Sequence, residues 1–214
     1  MTWFPAPETP QEQLYVWRVL YPIVRAVALF FAPMRTVDLG NVPPRGPYIL
    51  VGNHISWLDP EWIAWAVRKP VKYMAKEEIF EWFFVGGLIR FIGCFPVKRG
   101  TSDRRAFVTA LKVLGNGQVL GFFPEGHRSE SGAMITGHPG IAGIALRSGV
   151  PLVPVGVTGS RGVFGKFWRR DLTLRFGTPF YAKDLGETES QAVADEIMRK
   201  VAALLPESMR GVYA

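Results

Sequence analysis

Tyr48-Ile49-Leu50-Val51-Gly52-Asn53-His54-Ile55-Ser56-Trp57-Leu58-Asp59-Pro60 decides how the rest of the chain is read. The first four residues form a short apolar run with the character of a buried strand. Asp59-Pro60 opens a helix through Val67, with Asp suited to the N-cap and Pro to the first helical position. A strand-to-helix turn therefore carries His54 and Asp59, with four residues between them. An imidazole and a carboxylate on one such turn suit a general base. The carboxylate holds the proton of one ring nitrogen and leaves the other nitrogen able to accept one. The same residues also suit a plain helix start beside a hydrogen-bonded histidine at a strand end, and the pair alone does not decide between the two.

Outward from this turn, strands and helices alternate. Strands are expected at Thr36–Leu39, Tyr48–Val51, Val71–Ala75, Cys94–Val97, Gln118–Phe123, Leu152–Val157 and Leu172–Phe176. Helices are expected at 60–68, 77–92 with a break at Gly86-Gly87, 102–114, 141–147 and 191–205. Such alternation predicts an α/β fold with a mixed, mostly parallel sheet flanked by helices. Pro151 and Pro154 place the 152–157 strand at an edge or a bulge, because proline donates nothing to a ladder.

Residues 1–34 stand apart from the α/β portion, 35–214. Thr9-Pro10-Gln11-Glu12 has capping-box spacing, and the segment from Leu14 to Met34 is almost wholly apolar. Pro22 is expected to kink it. Arg18 and Arg25, seven residues apart, share one helical face. Each would cost about 2.5–3.5 kcal/mol at the centre of a bilayer span. A helix lying in the interface, with its arginines toward the headgroups, costs less. A buried helix packed on the domain is the other reading. Acidic Glu8 and Glu12 ahead of the segment argue against a signal peptide.

At 214 residues the chain has room for one sizeable core. Its formal charge of +7 favours an acidic partner, such as an anionic lipid surface or a phosphorylated substrate. Aromatic clusters accompany the charge: Trp3, Phe4, Trp17, Phe30 and Phe31, then Phe80, Trp82, Phe83, Phe84 and Phe91, then Phe164, Phe167 and Trp168 among Arg161, Lys166, Arg169 and Arg170. Rings beside cations suit a membrane interface with anionic headgroups. No recognised nucleic-acid module is present, so nucleic acid is not expected as a partner. The single cysteine, Cys94, excludes an internal disulfide, and the three histidines lack metal-site spacing, so no metal is expected. No Gly-x-Ser-x-Gly turn exists to support a serine hydrolase.

Three further segments carry chemistry. Phe123-Pro124-Glu125-Gly126-His127-Arg128-Ser129 follows a strand, where α/β folds bind ligands. There Glu125 can accept from hydroxyls, Arg128 can grip phosphate oxygens, and the Gly126 backbone can approach closely. An ordinary glycine turn with a solvated ion pair fits that stretch equally. Gly93 to Gly100 ends a strand with Lys98 and Arg99, and Val150 to Val155 is an apolar strand.

Taken in order, these four blocks resemble the glycerolipid acyltransferase superfamily over roughly residues 40–180, and most of all its 1-acyl-sn-glycerol-3-phosphate acyltransferases. Two positions depart from the family pattern: Val97-Lys98 stands where an Ile-Asp-like pair is usual, and His127 where threonine often stands. The resemblance implies the acyltransferase αβ fold for 35–214, while 1–34 is read from its own residues as an amphipathic, apolar membrane-associating helix. It implies acyl transfer from acyl-CoA or acyl carrier protein to the 2-hydroxyl of lysophosphatidate, giving phosphatidic acid for phospholipid synthesis, with no cofactor. His54 would be the base and Asp59 its orienting partner. Lys98 and Arg99 would bind the acceptor phosphate, and Glu125 and Arg128 would position the glycerol phosphate. The Gly126 amide would be a candidate donor to the oxyanion. The implied location is the cytoplasmic face of the cell membrane, peripheral or monotopic. Another lysolipid acceptor within the superfamily and a non-catalytic membrane-binding protein remain as alternatives.

Overall fold

The structure is a computed structural model that describes residues 11–91, 93–98, 103–163 and 171–214; for 11–20, 84, 88 and 91 only the backbone is described. Seven strands form one sheet: β1 (Arg35–Val37), β2 (Tyr48–Gly52), β3 (Val71–Lys76), β4 (Phe95–Val97), β5 (Val119–Phe122), β6 (Leu152–Thr158) and β7 (Thr173–Phe176). Their order is β1-β7-β6-β2-β5-β3-β4. Every neighbouring pair is parallel except β6–β7. This is the expected mixed, mostly parallel sheet.

β2 is buried along its whole length. Its side chains alternate between two cores, as the period of a strand requires. Ile49 and Val51 face a core built with α4 (Arg104–Gly115), α5 (Gly140–Ser148) and α6 (Ser190–Ala202). Tyr48 and Leu50 face a second core with Trp62, Ile63 and Trp65 of α2 (Asp59–Val67) and with Ala28 of α1 (Gln11–Phe31). Continuous apolar residues in β2 thus reflect helices on both faces rather than a half-wet sheet.

Several local expectations change. β6 is interior, between β7 and β2, despite its proline. The ladder to β7 begins only at Val155, while Leu152 pairs with Phe180 further out. Pro154 falls between the two and uses its carbonyl alone, accepting from the Gly177 amide at 2.8 Å. The missing N–H therefore costs the sheet no regular bond. The expected 77–92 helix divides at Trp82, not at the glycines. A 3-10 turn (Glu77–Glu81) precedes α3 (Phe83–Phe91), and Gly86 lies within α3 where a side chain would collide with the Phe80 carbonyl. α1 runs through Pro22, and the Thr9 cap lies outside the described residues.

α1 also departs from the expected orientation of its arginines. Arg25 turns inward, its Nε donating to the Trp65 carbonyl at 3.0 Å, and Tyr21 donates to the Ala64 carbonyl at 2.7 Å. With Ala28 and Ala32 these residues form one packed stripe against α2. The opposite side exposes Ile23, Val24, Val27, Phe30 and Phe31. The arginine thus supplies a donor to the Trp65 carbonyl in the last turn of α2. The Arg18 side chain lies outside the described set.

Candidate active site

The parallel strands β2, β3, β4, β5 and β6 end on one edge of the sheet. There the chain emerges as the His54 turn after β2, the 123–129 loop after β5, Ser160 after β6 and Lys98 after β4. Carboxyl edges of this kind are where α/β sheets bind ligands.

His54 Nδ1 lies 2.9 Å from Asp59 Oδ2. That carboxylate is 0% exposed. It does not cap α2 as the sequence suggested. The helix begins at Asp59 itself, and the side chain folds back over the turn, where Oδ2 accepts from the Ile55 and Ser56 amides, each at 2.7 Å. Its other oxygen, Oδ1, accepts a short hydrogen bond from the Ser160 hydroxyl. Four donors thus surround one buried carboxylate, which is how a buried charge is made tolerable. The imidazole is partly exposed, and among the described residues Nε2 has no hydrogen-bond partner.

The ring is also fixed from the side. It stacks on Phe123 at 4.3 Å between centroids, and Phe123 stacks on Tyr73 at 5.7 Å. Tyr73 donates to the Pro60 carbonyl at 3.0 Å, which ties the stack to α2. Gly121 makes room for this arrangement: a Cβ there would stand 2.0 Å from Tyr73 Cε1.

The backbone of the turn is held by its neighbours. Asn53 extends the β2–β6 pairing with its carboxamide, which donates to the Val157 carbonyl at 3.0 Å and accepts from its amide at 2.8 Å. On the β5 side, Ser129 N–H donates to the His54 carbonyl at 2.8 Å, and Glu125 Oε1 accepts from the His54 amide at 2.9 Å. Glu125 Oε2 accepts from the Ile135 amide at 3.3 Å. Burial raises the Glu125 carboxyl to about 7, against the lowering effect of those two amides. Glu125 therefore clamps two loops, a role its sequence context did not disclose.

The other expected residues are placed as follows. The Gly126 amide is not available to an oxyanion, because it donates to the Phe123 carbonyl at 3.1 Å and closes a turn in which Gly126 adopts φ +71°. Arg128 is exposed and lies 4.1 Å over the Trp57 ring, itself exposed at the mouth of the turn. Lys98 has its backbone amide on Asp103 Oδ2, the N-cap of α4, and its ammonium 3.6 Å from Glu77. Arg99 lies outside the described residues, as do residues 164–170 of the third aromatic cluster. Arg161 of that cluster turns toward the site, its guanidinium donating to the Ser129 and Glu130 carbonyls. In the first turn of α2, burial raises Glu61 to about 7.

The class that this sheet edge defines is an acyltransferase. The family model described as Acyltransferase matches residues 34–158, and the chain belongs to that family. More particularly, it is 26% identical to the 1-acyl-sn-glycerol-3-phosphate acyltransferase of Bacillus subtilis, over 71% of this chain and 75% of that one. It is 32% identical to the Streptococcus pneumoniae protein of the same name, over 68% of this chain but only 54% of its relative. A lyso-ornithine lipid O-acyltransferase of Pseudomonas aeruginosa is 30% identical over 69% of this chain and 54% of that one. The crystal structure of the 1-acyl-sn-glycerophosphate (LPA) acyltransferase PlsC from Thermotoga maritima superposes with a TM-score of 0.70 at 26% identity, covering 91% of this chain and 81% of that one.

Proposed function

We propose that the protein transfers a fatty acyl group from a thioester, on coenzyme A or acyl carrier protein, to the 2-hydroxyl of 1-acyl-sn-glycerol 3-phosphate, giving phosphatidic acid. One observation carries the chemistry: the 2.9 Å contact between His54 Nδ1 and the fully buried Asp59 carboxylate. It presets the tautomer with Nε2 as the acceptor. A lipid hydroxyl at Nε2 gives up its proton as its oxygen attacks the thioester carbonyl. Collapse breaks the carbon–sulfur bond, and the imidazolium returns the proton to the departing thiolate. The thioester is already activated, so one base suffices and no acyl-enzyme is required.

For the acceptor headgroup, Arg99 and Lys98 supply the phosphate contacts and Arg128 positions the glycerol phosphate. Lys98 sits at the carboxyl edge, and Arg99 follows it in sequence. Glu125 shapes the His54 turn, its oxygens accepting from the His54 and Ile135 amides, and with Arg128 positions the glycerol phosphate. Gly126 contributes the turn that points His127 and Arg128 outward.

The enzyme works at the cytoplasmic surface of the membrane, bound peripherally. No described helix is long and apolar enough to cross a bilayer. The outward face of α1 is apolar, Trp82 and Phe83 are exposed, and the net charge of +7 suits anionic headgroups. Extracting an acceptor from lipid would cost about 0.8 kcal/mol per CH2, so surface action is the economical route.

Purified protein, an acyl thioester and liposomes containing lysophosphatidate, with thiol release followed over time, test the reading. His54→Ala should lower kcat by about 10²–10⁴-fold while liposome binding persists; unchanged turnover would reject the base. Because of the Pseudomonas relative, lyso-ornithine lipid belongs in the same assay. A higher kcat/KM on that acceptor would overturn the assignment of lysophosphatidate and leave the acyl transfer standing. Val27→Asp with Phe30→Asp, on the outward face of α1, should release the protein from anionic vesicles; full retention would remove that helix from docking.

A further inference from the structure

Asp59 draws three of its four donors from its own turn: His54 Nδ1 and the Ile55 and Ser56 amides, all on Oδ2. The fourth comes from 101 residues away, where Ser160 Oγ donates to Oδ1. Ser160 is 1% exposed, and its placement is built into the backbone. Gly159 before it adopts φ +71°, and a Cβ there would stand 2.1 Å from the Asp171 carbonyl. Arg161 after it holds the Ser129 and Glu130 carbonyls, and Ser129 in turn holds the His54 carbonyl. The dipeptide after β6 thus touches both halves of the His54 site.

From this geometry we propose that Ser160 is a positioning residue of the acyl-transfer reaction. Its hydroxyl holds the Asp59 carboxylate in the rotamer that presents Oδ2 to His54. The inference rests on the acyltransferase reading above. Without Ser160, Oδ1 is a buried acceptor with no donor among the described residues, and the carboxylate is less well compensated. The His54–Asp59 pair then binds a proton more readily, whichever member holds it. The ionisable groups facing Asp59 are His54 on its own turn, Glu125 from the loop after β5 and Tyr73 on β3. Ser160 adds the one contact from the β6 side.

The test compares wild type, Ser160→Ala and Ser160→Thr in the liposome assay, with kcat and both KM values measured from pH 5 to 9 and folding checked by circular dichroism. Ser160→Ala should lower kcat by about ten- to a hundredfold, the worth of a hydrogen bond to a charged group, with little change in either KM. The acid limb of its pH–rate profile should move up by about one to two pH units. Ser160→Thr, which keeps the hydroxyl, should restore the wild-type limb. If Ser160→Ala does not fold, Ser160→Cys is read in its place, with the same displacement at smaller size. An acid limb that coincides with wild type, or a loss expressed in KM, overturns the proposal. Wild-type protein inactive toward both acceptors would instead overturn the underlying reading.

Discussion

The two ends of the candidate site are built on opposite plans. Around His54 the backbone and Nδ1 are held by hydrogen bonds, Nε2 alone is left open among the described residues, and the carboxylate of Asp59 is buried among four donors. Around Arg128 and Lys98 the cations lie at the surface, one over an exposed tryptophan and one 3.6 Å from a glutamate. Proton transfer demands fixed geometry, since a base must meet its proton within hydrogen-bond reach. Gripping a mobile headgroup does not demand it, and exposed cations are individually weak and adaptable. The contrast teaches that rate should reside in the buried end and acceptor preference in the exposed one.

The most forceful way to break this contrast is Asp59→Asn. The amide can still accept from the turn but carries no charge to stabilise an imidazolium, so kcat should fall by about 10²–10⁴-fold in the thiol-release assay. A drop of less than tenfold would mean that the buried end does not set the rate.

Next comes Glu61→Gln, which asks whether sealing the region has a cost. Burial raises this carboxyl from 4.5 to about 7. The folded state then holds a proton that the unfolded state releases, so stability is highest below pH 4.5 and falls as pH rises toward 7. The substitution should remove up to about 3 kcal/mol of that fall. Denaturant melts of both proteins at pH 4.5 and pH 8 check it: they should agree at the lower pH, and the variant should be the more stable at the higher.

A smaller effect is expected for Gly121→Ala, which pushes Tyr73 off Phe123 and loosens the stack under His54. About 1–3 kcal/mol of stability should be lost on thermal unfolding, as overpacking generally costs. The smallest belongs to the exposed end. Arg128→Ala should raise the acceptor KM about two- to fivefold and leave kcat unchanged, in keeping with a solvent-screened charge. A kcat effect there would erase the division of labour.

The fold was largely legible because its decisive signals are local. An apolar run, a turn and a proline-started helix fall within thirteen residues at 48–60, and strand-helix alternation repeats around them. The His54–Asp59 contact was legible for the same reason. What escaped reading depends on contacts between distant segments. Ser160 lies 101 residues from Asp59, and nothing in Gly159-Ser160-Arg161 marks its destination. Arg25 looked like a headgroup cation, yet it donates to the Trp65 carbonyl of α2, because periodicity shows which residues share a face and not what that face meets. Pro154 looked like an edge residue because sequence does not reveal where a neighbouring strand stops. The clamp formed by Glu125 escaped reading because its two amide partners are 71 and 10 residues away.

The stitching between the His54 turn and the 123–129 loop has a thermodynamic consequence. It continues beyond the last residues of β2 and β5, so the proposed base sits on what amounts to an annex of the sheet. Its conformational entropy is surrendered once, when the chain folds, and not again at each encounter with a lipid. An enzyme arranged this way meets a disordered, fluid substrate with a catalytic element that has nothing left to organise.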